Sequence, residues 1–122
     1  GYASSSIDKA AALDYFGLSK GQTLLIFGGS QGAQGINQLI TQALPLLQGM
    51  PLQFIHLTGS DEEADRMKAC YAQYQLPAVI KPFEKNMQLA WKAADLFVGR
   101  SGASSIGEAM EFEVPGILIP YP

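Results

Sequence analysis

Apolar runs and amphipathic stretches alternate from one end of this chain to the other. "TLLIFGG" (23–29) is apolar at consecutive positions and closes on glycines, the pattern of a strand buried on both faces. "AQGINQLITQALPLL" (33–47) then places Ile36, Leu39, Ile40, Ala43, Leu44 and Leu47 at helical spacing, and Pro45 is expected to end or kink that helix early. "LQFIHLTG" (52–59) reads as a second strand. "DEEADRMKACYAQY" (61–74) reads as a helix whose three leading acids favour its positive end. A short strand at "AVIKPF" (78–83), a helix over "NMQLAWKAA" (86–94), a strand at "DLFVG" (95–99), a helix at "SSIGEAMEF" (104–112) and a strand at "GILIPY" (116–121) complete the alternation. Before it stands a further helix, "SIDKAAALDYFGL" (6–18), stopped near Gly17.

Strands separated by helices call for parallel pairing through right-handed crossovers, with helices on both faces. The expected fold is α/β: a Rossmann-like, doubly wound parallel sheet. Ligands of such sheets bind beyond the carboxyl ends of the strands, where the strand order reverses. Function is therefore expected in the loops after the first, third and fourth strands. At 122 residues and 48% hydrophobic content, the chain is expected to form a single domain around one core.

Charge sharpens this picture. Eleven acids against eight bases leave a net charge of −3, without the basic footprint of a nucleic-acid binder, so no nucleic-acid partner is expected. From Tyr15 to Ser60 there is no acid and Lys20 is the only lysine or arginine, a neutral, glycine-bearing surface suited to an anion. A lone cysteine, Cys70, on an amphipathic helix reads as a packed thiol. One histidine and no metal-ligand spacing leave no basis for a zinc site, and no apolar run is long enough to span a membrane. Gly1 and the closing "IPYP" look like cut ends, and a cytoplasmic setting is expected.

Two loops carry the candidate chemistry. "GGSQGAQG" (28–35) lets backbone N–H groups approach a ligand and points a helix N-terminus at it, although any strand-to-helix turn needs similar residues. Its glycines do not have the GxGxxG spacing, no acid ends the second strand, and no Gly-Lys-Ser/Thr follows, so neither an NAD site nor a P-loop is indicated. "RSGASSIGEAM" (100–110) holds Gly102 at a turn, with Ser101, Ser104 or Ser105 available to cap the next helix and the N–H groups of Ala103, Ser104 and Ser105 open to a ligand. Two facing helix N-termini suit a diphosphate. Glu108 can accept two hydrogen bonds from vicinal ribose hydroxyls, or be only an acid favoured by the helix dipole. Arg100 can meet a phosphate or pair with Glu108 or Glu111. His56 reads as a packed structural residue, and Trp91 and Phe97 as core.

"GGSQGAQGIN" (28–37), "HLTG" (56–59), "KPF...M" (81–87), "ADLFVGRSGASSIGE" (94–108) and "PGILIPYP" (115–122) together resemble the carboxy-terminal domain of the MurG family, the peptidoglycan glycosyltransferases that add N-acetylglucosamine to lipid I to make lipid II. The resemblance runs from about residue 23 to the end. It implies one of the two Rossmann-like halves of the GT-B fold, an inverting transferase needing no cofactor and no metal, and UDP-N-acetylglucosamine as the donor held by this half. It implies donor contacts at Gly29 and Ser30, at Phe83 and Glu84 beside the uracil (Glu84 through its backbone), at Gly102, Ala103, Ser104 and Ser105 on the diphosphate and sugar, and at Glu108 on the ribose. It further implies lipid I as a partner through an amino-terminal domain, and peripheral contact with the inner face of the bacterial cytoplasmic membrane. That domain, with the histidine the family is taken to use in catalysis, and the glutamines beyond "PYP" have no counterpart here, so residues 1–122 are expected to be a truncated donor-binding domain, inactive alone. Competing readings are the donor chain of another UDP-sugar enzyme of this fold, a two-chain N-acetylglucosaminyltransferase or a UDP-N-acetylglucosamine epimerase, and a non-catalytic nucleotide-binding module.

Overall fold

The structure, a computed structural model, describes residues 8–100 and 105–120. Five helices and five strands alternate as α1 (Lys9–Tyr15), β1 (Gln22–Phe27), α2 (Gly29–Leu47), β2 (Leu52–Leu57), α3 (Asp61–Gln73), β3 (Ala78–Lys81), α4 (Met87–Ala93), β4 (Leu96–Arg100), α5 (Ser105–Glu111) and β5 (Gly116–Ile119). All four strand pairings are parallel, in the order β3-β2-β1-β4-β5. The chain steps outward from β1 to β3, then returns to lay β4 on the other side of β1. This is the doubly wound α/β sheet expected from the alternation.

The central strands are apolar on successive residues because both of their faces are covered. Leu25, Ile55 and Phe97 pack with Leu13, Phe16, Ala90, Trp91 and Ala109 on the α1/α4/α5 face. Ile26, Phe54 and Val98 pack with Ile36, Ile40, Leu44, Met67 and Tyr71 on the α2/α3 face. Trp91 and Phe97 are therefore core, as expected. Cys70 is half-buried against the second cluster.

Two boundaries differ from the sequence reading. Most of "GGSQGAQG" is not loop: α2 begins at Gly29, so Gly29 to Gly35 form its first two turns, with Gly28 at the N-cap position. A glycine-rich stretch is a poor helix former alone, but here it continues a 19-residue helix whose apolar stripe is anchored on the sheet, and packing outweighs propensity. Pro45 neither ends nor shortens α2, which runs on to Leu47. It lies in the last turn, where its missing N–H costs a single hydrogen bond close to the point at which the helix stops anyway.

Candidate functional site

The strand order reverses between β1 and β4. Ile26 is level with Val98, so Gly28 and Arg100 prolong the two strands by equal lengths. From that point α2 leaves toward one face and α5 toward the other, as the two core clusters show. In open α/β sheets this crevice at the carboxyl edge is the ligand site.

The helices beginning at this edge have different ends. At α3, the Ser60 hydroxyl accepts from the Glu63 N–H at 3.2 Å and three acids occupy the first turn. At the opposite edge, Asp8 caps α1 by accepting from the Ala11 N–H at 2.7 Å. At α2 the cap is Gly28, which has no side chain to offer, and the first turn carries no acid. Its leading N–H groups and positive dipole end have no side-chain cap, which is a requirement for holding an anion. Gly29 and Ser30 both lie in this first turn.

The neighbouring turns are held at the same edge by backbone bonds. The Thr58 N–H donates to the Lys81 carbonyl at 2.9 Å, and the Gly59 N–H to the Pro82 carbonyl at 2.8 Å. Gly59 has φ of +91°, and a Cβ added there would lie 2.9 Å from that of Ala33, so this turn packs closely on α2. Beyond Pro82, Phe83 is 68% exposed, a free aromatic face at the ligand edge. Glu84 behaves in the opposite way. Its side chain is 1% exposed and accepts from Lys81 Nζ at 2.6 Å, the Tyr15 hydroxyl at 2.9 Å and the Asn86 N–H at 3.0 Å. Burial pushes this carboxyl up, but the bonds from Lys81, Asn86 and Tyr15 outweigh it and hold the group below the usual carboxylate value. The Glu84 side chain thus ties α1 to the β3–α4 turn, leaving only its backbone for a ligand.

Arg100 donates from Nη1 to the Pro120 carbonyl at 2.9 Å, and its guanidinium lies against Gly35 of α2. Glu108 is exposed on α5, one turn in from Ser105, which opens that helix. Gly102, Ala103 and Ser104 lie outside the described residues.

His56 does not line the crevice. It is fully buried, with Nδ1 2.8 Å from the Tyr71 hydroxyl and Nε2 2.7 Å from Asn37 Oδ1. Asn37 spends its amide hydrogens on the Thr58 carbonyl and Glu63 Oε1, both at 3.0 Å, so its oxygen must accept from His56. The imidazole is therefore the neutral Nε2–H tautomer, taking a hydrogen bond from Tyr71 at Nδ1. Burial drives its pKa from 6.5 down to about 3, against a smaller opposing pull from Glu63. A group so placed cannot serve as a base for a ligand. The hub Asn37 was missed by the sequence reading, although a polar residue on the same helical face as Ile36, Ile40 and Leu44 was a signal that partners had to exist.

A larger hollow of about 600 Å³ sits between α1 and the amino ends of β1 and β4, lined by Lys9, Leu13, Leu18, Gln22 and Asp95. It faces the edge opposite the crevice, far from any helix N-terminus of α2 or α5. At the carboxyl edge, a hollow of about 270 Å³ between α2 and α3 is bordered by Glu62 and Glu63, which disfavour a diphosphate. The larger hollow thus lies away from the bare end of α2 and from the β1/β4 reversal of strand order.

Comparison with known proteins shows the family. Residues 23–122 match the family model described as the glycosyltransferase family 28 C-terminal domain. The UDP-N-acetylglucosamine–N-acetylmuramyl-(pentapeptide) pyrophosphoryl-undecaprenol N-acetylglucosamine transferase of Protochlamydia amoebophila is 61% identical over 100% of this chain and 33% of its own length. The enzyme of the same name from Syntrophus aciditrophicus is 42% identical over 82% of this chain and 28% of its own. The crystal structure of Acinetobacter baumannii MurG superposes with a TM-score of 0.73 at 31% identity, over 91% of this chain and 32% of that one. The chain thus spans about a third of the relatives it matches. It belongs to the glycosyltransferase family 28 C-terminal domains, and its fold is that of the corresponding part of MurG, one half of a GT-B enzyme.

Proposed function

We propose that this chain is the donor-holding part of an inverting glycosyltransferase that moves N-acetylglucosamine from UDP-N-acetylglucosamine to lipid I, forming lipid II for peptidoglycan. The observation that carries the reading is the uncapped N-terminus of α2 at the β1/β4 switch point, in a chain of this family. The diphosphate would rest on the N–H groups of the first α2 turn at Gly29 and Ser30 and on the segment Gly102 to Ser105. The uracil would lie along Phe83 and the backbone of Glu84, and the ribose hydroxyls would donate to Glu108.

The chemistry asked of these residues is leaving-group stabilisation. An acceptor hydroxyl attacks the anomeric carbon from the face opposite the diphosphate and gives its proton to a base outside this chain. The bond from that carbon to the diphosphate oxygen breaks, and negative charge grows on the departing UDP. Fixed N–H dipoles aimed at that oxygen are worth more in the transition state than in the ground state. They supply the role that a bound cation has elsewhere. Lipid I would be held by the rest of the enzyme, working against the inner face of the cytoplasmic membrane. Among the described residues no helix is long and apolar enough to cross a membrane.

Calorimetric titration tests the reading. UDP and UDP-N-acetylglucosamine should bind to residues 1–122 more tightly than ATP or NAD, and equal binding of ATP would refute the uridine assignment. Glu108→Gln should weaken UDP by roughly 1.5–3 kcal/mol, the range for hydrogen bonds to a charged group. The same variant should bind 2′,3′-dideoxy-UDP like the parent and melt within a degree or two of it. Equal loss for both ligands would remove Glu108 from the ribose.

A further inference from the structure

We infer that His56 and Asn37 are positioning residues for the nucleotide site, acting by locking the N-terminal half of α2 against β2 and α3. The inference rests on the donor-site reading above and assigns work to groups that never touch the ligand.

A histidine buried between a sheet and two helices forfeits its hydration, and an apolar side chain would fill the same place without that cost. What the imidazole adds is a directional link. Tyr71 on α3 donates to His56 on β2, and His56 donates to Asn37 on α2. Asn37 then reaches back to the Thr58 carbonyl at the end of β2 and to Glu63 on α3. Arg66 closes the circuit, donating to Glu63 from Nε at 2.8 Å and to the Thr41 hydroxyl from Nη1 at 3.1 Å, while that hydroxyl donates to the Asn37 carbonyl at 2.8 Å. Every polar atom of the His56 ring and the Asn37 amide is used, so α2 cannot slide or rotate on the sheet without breaking several bonds together.

The circuit also joins the two described parts of the proposed site. Asn37 lies eight residues after Gly29, roughly 12 Å along a rigid helix, so any displacement at Asn37 is carried to the anion-holding turn. Thr58, whose carbonyl Asn37 holds, donates its N–H to Lys81, and Gly59 donates to Pro82 just before Phe83. The spacing between the α2 N-terminus and the Phe83 turn is thereby set through the Asn37–Thr58 bond.

His56→Leu removes both ring bonds. His56→Gln keeps a donor that can reach Asn37. Val114→Ala removes buried volume from the opposite face of the sheet, away from the site. Melting temperature and UDP dissociation constant are measured for all three. His56→Leu should lose about tenfold or more in UDP affinity at a temperature where it is fully folded, and His56→Gln should recover most of that loss. Val114→Ala should lower the melting temperature with unchanged affinity. A folded His56→Leu that binds UDP like the parent overturns the inference, as does Val114→Ala losing affinity in step with stability. If His56→Leu does not fold, Asn37→Ala takes its place with the same two outcomes. Should the parent itself fail to bind UDP, the donor-site reading falls. The locking of α2 is then read from amide hydrogen exchange: in His56→Leu or Asn37→Ala the N–H groups of Ala33 to Asn37 should exchange several-fold faster relative to those of α4, and unchanged relative rates overturn it.

Discussion

Glu84 and His56 show how little a residue's type says about its role until its neighbours are known. The carboxylate of Glu84 stands beside an exposed aromatic at the ligand edge, yet it is turned inward to Lys81, Tyr15 and Asn86. Glu84→Ala should cost about 1–3 kcal/mol in a denaturant melt, because three donors lose their acceptor while the half-exposed Lys81 recovers water. UDP affinity should hardly move if the ligand uses only the backbone there. A stable variant with lost affinity would place the carboxylate on the nucleotide. For His56, the sequence favoured a packed role because a lone histidine at a strand end is more often structural than chemical. That was right, but the partner that makes the burial tolerable, Asn37, lies 19 positions away and becomes adjacent only when α2 folds back onto the sheet.

At the level of elements, the alternation of apolar and amphipathic segments was legible because each strand and helix buries its own side chains with its own period. The first turns of α2 were not, since glycine-rich sequence is compatible with loop or helix and only anchoring of the rest of the helix decides between them. Close packing within β4 was equally hidden. The Phe97 ring lies across Gly99 and Gly116, with its centroid 4.8 Å from that of Trp91 and 5.1 Å from that of Phe27. A Cβ at Gly99 would overlap that ring, which has no space to withdraw into. Gly99→Ala should therefore destabilise the chain by roughly 1–3 kcal/mol, the cost of overpacking a filled core. Equilibrium unfolding checks this, and a variant as stable as the parent would mean the ring is free to move.

Over the whole molecule, the buried imidazole makes stability depend on pH. His56 in the unfolded chain takes a proton near pH 6.5, whereas in the folded chain it resists one down to about pH 3. Between those values the unfolded state binds more protons, so stability falls as pH falls from 6.5. The slope approaches 1.4 kcal/mol per pH unit, giving about 2 kcal/mol lost between pH 6.5 and 4.5. Glu63 is held below 4.5, by its bonds from Arg66 first and Asn37 second, and Glu84 is also held below 4.5. The stability these two carboxylates contribute is lost only at still lower pH, so the upper window belongs to the histidine. Melts of the parent and His56→Gln at pH 7, 5.5 and 4.5 should diverge, with the slope absent in the variant. A flat parent profile would show that His56 is not held neutral by the fold.

The sequence by itself determined the class of fold and the order of its elements. These follow from local periodicity and from the handedness of parallel crossovers, which leave few topologies to choose among. It also carried the family, through motifs spread over about a hundred residues. Tertiary structure alone decided which polar side chains face the crevice and which are spent inside. Glu84, Asn37 and His56 differ in that respect because each is also paired with a group 15 to 69 positions distant, and hydrogen bonds over such separations exist only once the sheet has brought α1, α2, β2 and α3 together.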